Sequence, residues 1–328
     1  MSLSITNIGR ALTGDSLIAA MHAAKEARKP LVEGLIYDKT MLLVSADPGT
    51  GKSTISTQIM IEAAAGLPIF GMLHVPKPLK FLYAQTERDI LEVLERIEVF
   101  SKSYPIVKEN IFVTDEYQRF NMLNTDHVHM LAECIKRDCP GGVDVINWDP
   151  IYSMVSGGLS KDEPAAAFTH AMSIIHKEIG AVHWYNHHTV KPEYFQGKKQ
   201  EREDPFYGSQ WLKAHCTGAY YMKKTEKGVQ MIRKKDNYGI LTEILDLEYN
   251  AETGLCTINM DGLTAKDRIR NYIGLKKMEG KTFYFDDIVN ATKVCTRQVR
   301  TILLHSSIKD LIIVVSTKDK KHLYAAAP

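Results

Sequence analysis

Apolar positions in the first two thirds of the chain alternate between two periods. Short apolar runs predict strands over 41–46, 80–84, 111–114, 143–148 and 181–186. Between them apolar residues recur every three or four positions, which predicts helices over 52–65, 87–102, 125–137 and 163–179. Strands alternating with helices imply an α/β fold, a mostly parallel sheet with helices on both faces, because each crossover must pass over one face. A single amphipathic helix near 16–28, stopped by Pro30, lies in a lead-in covering 1–40. After 207 the runs shorten to 218–223, 228–233 and 242–249 with no helix between them, and predict antiparallel additions to the sheet edge.

The pattern changes again at Gly262, which sets the core at 41–261 and a small module at 262–328. Helical spacing covers 265–277, 285–291 and 296–304, and strands at 311–315 and 322–325 flank the polar turn 317–320. Three helices followed by a ribbon predict a winged helix-turn-helix. Its third helix turns Val299, Ile302 and Leu303 inward and presents Arg297, Gln298 and Arg300 to a DNA major groove, with Thr296 and Thr301 beside them. Charge supports this. Residues 262–328 hold 13 Lys and Arg against 6 Asp and Glu, a balance of +7, whereas the rest of the chain holds 28 against 33, a balance of −5. A basic module on a mildly acidic core suits a polyanion, and duplex DNA outweighs the alternative of a protein-docking cap.

Composition adds mostly exclusions. The chain of 328 residues is 45% hydrophobic and 24% charged, ordinary for a globular protein. Its longest aliphatic run, 311–315, is far too short to span a bilayer, and the first residues show no basic-then-apolar leader, so a cytoplasmic protein without a membrane partner is expected. Cys134, Cys139, Cys216, Cys256 and Cys295 are scattered and odd in number, unlike a disulfide framework or a zinc site.

The chemistry begins at Ala46, Asp47, Pro48, Gly49, Thr50, Gly51, Lys52, Ser53 and Thr54. A strand precedes this stretch and a helix follows it, the setting of a phosphate-binding P-loop. Glycines let backbone N–H groups curl round phosphate oxygens, and the helix turns its positive end to the same anion. Lys52 is placed to reach the β- and γ-phosphates of ATP, and the Ser53 hydroxyl to ligate Mg²⁺. Ala46 stands where the motif usually has its first glycine.

Two further strands end in carboxylates. Glu87 follows 80–86 and is a candidate general base for the attacking water; it also suits a helix start, so it can serve both ends. Asp149 closes 143–149 and is the candidate Mg²⁺ aspartate, while Asp144 lies at the wrong end of that strand. The fifth strand ends in His187 and His188. On a strand His183 and His187 share a face and His188 points the other way, so a γ-phosphate sensor is a better reading than a metal site. The segment 191–207 is charge-dense and aperiodic, and a mobile loop is expected there. Lys198, Lys199 and Arg202 offer cations to nucleic acid, but Glu193, Glu201, Glu203 and Asp204 balance them.

In order, the stretches 31–36, 46–54, 66–71, 82–87, 95–97, 149–150, 186–188, 208–209 and 235–239 resemble the RecA-like ATPase core in its RepA-type branch of hexameric plasmid and phage helicases. The resemblance covers roughly 30–250. It implies that Glu87 is the catalytic glutamate, Asp149 the magnesium-linked aspartate, His187 or His188 the sensor, and Lys235 a basic residue near the γ-phosphate of a neighbouring subunit. Where the family places an arginine finger this chain has Thr217, which leaves Arg233 or Lys235 to take that part. The resemblance further implies a homo-oligomeric ring, expected to be a hexamer, with single-stranded DNA in a channel lined by the loops at 155–163 and 191–207. The function it implies is an ATP-hydrolysing DNA motor, a replicative helicase or translocase. The alternatives are an ATP-controlled regulator, loader or recombination factor without strand separation, and a ring ATPase acting on protein partners.

Overall fold

The computed structural model describes residues 13–26, 29–86, 89–114, 117, 120–155, 158–189, 194–195, 198–199, 206, 210–259, 264–278, 281–304, 312–318 and 321–326. The first half of the chain forms α1 (Gly14–Glu26), β1 (Pro30–Val32), β2 (Ile36–Tyr37), β3 (Met41–Ala46), α2 (Lys52–Ala64), β4 (Phe81–Gln85), α3 (Ile90–Ser101), β5 (Ile111–Thr114), α4 (Thr125–Asp138), β6 (Val145–Asp149) and α5 (Asp162–Ile179). Next come β7 (Val182–His188), β8 (Tyr194–Phe195), β9 (Lys198–Lys199), α6 (Gln210–His215), β10 (Gly218–Lys224), β11 (Gly228–Asp236), β12 (Ile244–Tyr249) and β13 (Cys256–Ile258). The C-terminal part forms α7 (Ala265–Met278), β14 (Phe283–Tyr284), α8 (Phe285–Thr292), α9 (Thr296–Leu304), β15 (Ile312–Lys318) and β16 (Lys321–Ala326).

Nine strands make the central sheet in the order β13-β12-β11-β10-β3-β7-β6-β4-β5. From β10 to β5 every pairing is parallel, and from β10 to β13 every pairing is antiparallel. The expected edge addition is therefore present, with one correction: its first strand, β10, lies parallel to β3. A second correction concerns β4. It is not next to the P-loop strand, since β7 and β6 stand between them.

Register fixes which side chains share a face. Leu42, Val44 and Ala46 of β3 lie level with Trp184, Asn186 and His188 of β7, and Asn147 of β6 lies level with Trp184 and with Tyr83 of β4. Cross-strand partners point the same way, so these residues share the face that packs beneath α2 in one buried cluster with Ile55, Ile59 and Tyr220. Leu43, Leu82, Ile146, Trp148 and Tyr185 face the opposite cluster, under α4 and α5 with Leu131, Phe168 and Met172. Burial on both faces explains why the parallel strands read as apolar runs instead of alternating ones.

Helix boundaries follow capping chemistry. α3 starts at Ile90 and not at 87, because the Asp89 carboxylate accepts the Leu91 N–H at 3.0 Å. Asn124 caps α4 in the same way, and Gly180 ends α5 at φ 77°. No described helix is long and apolar enough to cross a membrane.

Residues 265–326 bury a third cluster, in which Ile269, Ile273, Phe283, Ile288, Val299 and Leu303 meet. The three expected helices are present. The expected two-stranded ribbon is a three-stranded sheet, β14-β16-β15, because Phe283 and Tyr284 pair with Tyr324 and Leu323. A two-residue strand carries too little periodicity to stand out in the sequence.

Candidate nucleotide site

β3 delivers the chain to its C-terminal edge at Ala46, which is fully buried as the last strand residue and forms no part of the loop. The turn beyond is held by Thr50, whose N–H and hydroxyl both donate to Asp47 O, at 3.2 and 2.7 Å. Gly49 and Gly51 adopt φ 74° and 95°, values that strain any residue with a side chain. A Cβ at either glycine would meet no atom within 4 Å, so the backbone borders open space, as an anion cradle must. α2 begins immediately, with no side-chain cap at Gly51 and no acidic residue in its first turn. Its leading N–H groups and helix dipole thus remain available to an anion. Buried at nearly every position from Lys52 to Ala64, α2 holds this end rigidly against the sheet.

A cavity of about 200 Å³ opens here, lined by residues 47–54, Gln85, Arg96, Asp149, Pro150 and His188. Lys52 is buried at its wall, 8% exposed. Asp149, at the end of β6, is also buried, and the Tyr83 hydroxyl donates to its Oδ2. Burial first, and the Asp149 charge second, push the Tyr83 phenol well above its ordinary range, so it stays a neutral donor. Thr189, the first residue after β7, donates from its hydroxyl to Asp47 Oδ1 and fastens the loop to the next crossover. Behind the loop, Asn186 Nδ2 donates to Ser56 Oγ at 2.9 Å and to Asn147 Oδ1 at 3.2 Å, and Trp184 Nε1 donates to Asn186 Oδ1 at 3.0 Å. This buried network ties β6, β7 and α2 together beneath the phosphate loop.

The oxygens of Ser53 and Asp149 suit a hard divalent cation. One hydroxyl and one carboxylate beside a phosphate cradle are the donor set Mg²⁺ takes, with phosphate and water completing its shell. The residues fit Mg²⁺–ATP.

Lys52, Ser53 and Asp149 therefore meet as expected. His188 lines the same cavity, with its ring 5.1 Å from that of Tyr152, whereas His187 is fully buried on the opposite face. Glu87 and Arg202 lie outside the described residues, as do Gly208 and Ser209. So does most of 191–207, apart from the β8–β9 pairing that brings Lys198 and Lys199 opposite Phe195 and Tyr194. Lys235 and Arg233 line no part of this chain's own cavity. Lys235 lies level with Ala219 and Leu43, short of the P-loop end, and donates to Lys213 O at 2.7 Å and Ala214 O at 3.0 Å. Burial lowers its pKa. Arg233 holds the turn after β11, donating to Leu241 O at 2.7 Å and pairing with Asp236. Asp144 is structural: its Oδ2 accepts the Lys80 N–H at 2.8 Å at the start of β6.

Sequence reasoning did not pick out Gln85, Arg96 or Tyr83 as site residues. Arg96 reaches the cavity from α3 while its guanidinium donates to Glu92 at 3.2 Å. An arginine on a helix just after a candidate base was the available signal. Gln85 and Tyr83 look like ordinary strand residues until β4 is placed beside β6.

In the C-terminal module Arg297, Gln298 and Arg300 are exposed along α9, and Arg300 lies over the Phe285 ring at 5.7 Å.

Residues 10–193, more than half of the chain, match a family described as an AAA domain. Among solved structures, a phage ATPase domain superposes with a TM-score of 0.54 at 12% identity, covering 75% of this chain and 98% of its own. A DnaB-like replicative helicase, solved in a study of its interactions with primase, superposes with a TM-score of 0.55 at 12% identity, covering 77% of this chain and 68% of its own. At that identity the shared feature is the fold. No curated protein sequence matches the chain significantly.

Proposed function

This chain belongs to that AAA domain family, and from this premise we propose that it is an ATP-hydrolysing DNA motor, a helicase or translocase. One observation carries the reading: Lys52, Ser53, Asp149, Arg96 and His188 converge from five separate elements on one phosphate-sized cavity at the C-terminal edge of a parallel sheet. In this reading the loop amides and Lys52 hold the phosphates. Ser53 and Asp149 hold Mg²⁺, which supplies charge neutralisation between the β- and γ-phosphates. Glu87 takes the proton from the attacking water, and Arg96 adds a cation in cis. His188 senses the γ-phosphate and, through β7 and Thr189, reports to the segment carrying Lys198, Lys199 and Arg202. Lys235 and Arg233 act on the nucleotide of a neighbouring subunit in a ring, expected to be a hexamer with single-stranded DNA in its channel. Residues 262–328 act as a winged-helix module on duplex DNA. The five free thiols suit a reducing, cytoplasmic setting.

A second reading, an ATP-controlled regulator or loader, is favoured by one feature. The two candidate trans cations already bond within their own chain, Lys235 to helix carbonyls and Arg233 to a turn, which suits slow hydrolysis. ATPase rate with and without single-stranded and duplex DNA, followed by displacement on a forked substrate, separates the readings. A motor shows DNA-stimulated turnover and strand displacement; a loader shows neither, yet binds DNA in an ATP-dependent way. An ATPase indifferent to DNA points to a protein substrate.

A further inference from the structure

Tyr83 is an aromatic residue buried in a sheet core, and its ring alone needs no explanation beyond packing. Its hydroxyl does. A phenylalanine would fill the same space, yet here a buried O–H is brought to the edge of the nucleotide cavity and donated to Asp149 Oδ2. The strand register explains the reach. Gln85 is level with Asp149, so Tyr83 is its diagonal neighbour on the same face, and a long aromatic spans that diagonal. The Ser53 side chain lies within hydrogen-bonding reach of the same hydroxyl, and the Arg96 charge acts on it. One rigid phenol therefore touches both residues that would hold the metal.

We propose that Tyr83 is a positioning residue for the Mg²⁺–nucleotide complex: its hydroxyl fixes the Asp149 carboxylate so that one oxygen is committed to the sheet and the other faces Ser53 and the metal. The inference rests on the nucleotide reading above. A donor on Oδ2 removes carboxylate rotation that metal binding would otherwise have to freeze out. It also favours the ionised carboxylate, which the metal requires. Asp149 is held on its other side through the backbone, where its carbonyl accepts the Thr86 N–H at 3.1 Å.

The test uses the full chain and the fluorescent probe N-methylanthraniloyl-ADP. Affinity is measured in EDTA and across a Mg²⁺ titration for wild type, Tyr83→Phe, Asp149→Asn and the double variant, with thermal midpoints as a control for folding. Tyr83→Phe should keep its EDTA affinity within about twofold. The Mg²⁺ concentration for half-maximal effect should rise about tenfold, the usual scale for losing an outer partner of a metal ligand. In the Asp149→Asn background the Phe substitution should add nothing further. An unchanged Mg²⁺ midpoint in Tyr83→Phe overturns the inference and leaves the hydroxyl as packing. Equal losses with and without Mg²⁺ overturn it too, because they report a damaged pocket. A wild-type chain that binds no nucleotide refutes the ATP reading itself, and this inference with it.

Discussion

Glu62 offers a stability measurement whose size follows from the structure. It sits in the last turn of α2, fully buried, with Oε1 accepting from Gln58 Nε2 at 2.9 Å and Oε2 accepting the Phe70 N–H at 2.8 Å. Burial raises its pKa from 4.5 to about 7, against the opposing pull of the Gln58, Phe70 and Tyr104 donors. The folded chain thus binds this proton more tightly than the unfolded chain. That stabilisation is complete below 4.5, is lost as the pH rises through about 7, and amounts to about 3 kcal/mol between the limits. Buried histidines pull the other way. His183 lies well below its ordinary range and His215 is lowered to about 4, each mainly by burial, so their contribution is present above 6.5 and fades on acidification. The raw pH profile mixes both trends, and Glu62→Gln separates them. Urea unfolding of the two proteins from pH 4.5 to 8 should show the stability advantage of wild type over the variant falling by about 3 kcal/mol. A difference that stays within about 0.5 kcal/mol across this range would show that Glu62 ionises normally in the folded state, and the reasoning from burial would fail.

Lys52→Ala should abolish hydrolysis and weaken ATP binding, since it removes the principal cation on the phosphates; near-wild-type turnover would remove the P-loop assignment. Glu87→Gln should keep ATP affinity and lower turnover by roughly a hundredfold, the scale of a lost general base, read by steady-state ATPase beside a nucleotide titration. His188→Ala should slow hydrolysis with little change in thermal midpoint, whereas His187→Ala, buried on the other face, should lower the midpoint first; the reverse pattern would exchange their parts. Arg297→Ala should weaken duplex binding by the full chain and flatten its salt dependence by about one log unit per log unit of salt, with basal ATPase intact; unaltered binding would make α9 a protein-facing helix.

Much of the core was legible because parallel strands buried on both faces leave continuous apolar runs, and helices between them leave a different period. The P-loop was legible residue by residue, since Gly49, Gly51, Lys52 and Ser53 act locally. What escaped depends on strand order. That His188 and not His187 borders the cavity follows from which face α2 covers, and alternation alone leaves both open. Tyr83 and Gln85 join the site only because β6 separates β4 from β7. The parallel placement of β10 was hidden because a two-period run does not state its partner's direction. β14 went unseen because two residues cannot display a period.

The Gln58 side chain has a temporal consequence. Its amide donates to Cys256 O at 2.7 Å and accepts the Cys256 N–H at 2.8 Å, a two-point bond across 198 positions of sequence. The same amide braces Glu62. During synthesis the phosphate loop leaves the ribosome about two hundred residues before the strand that satisfies Gln58. Until β13 arrives, α2 carries a polar pair with nowhere to bond, and the sheet face beneath it cannot close dry. The segment made early, which carries the phosphate chemistry, is thus completed by one made late, and a chain ending before 256 should hold its nucleotide loop without a fixed helix behind it.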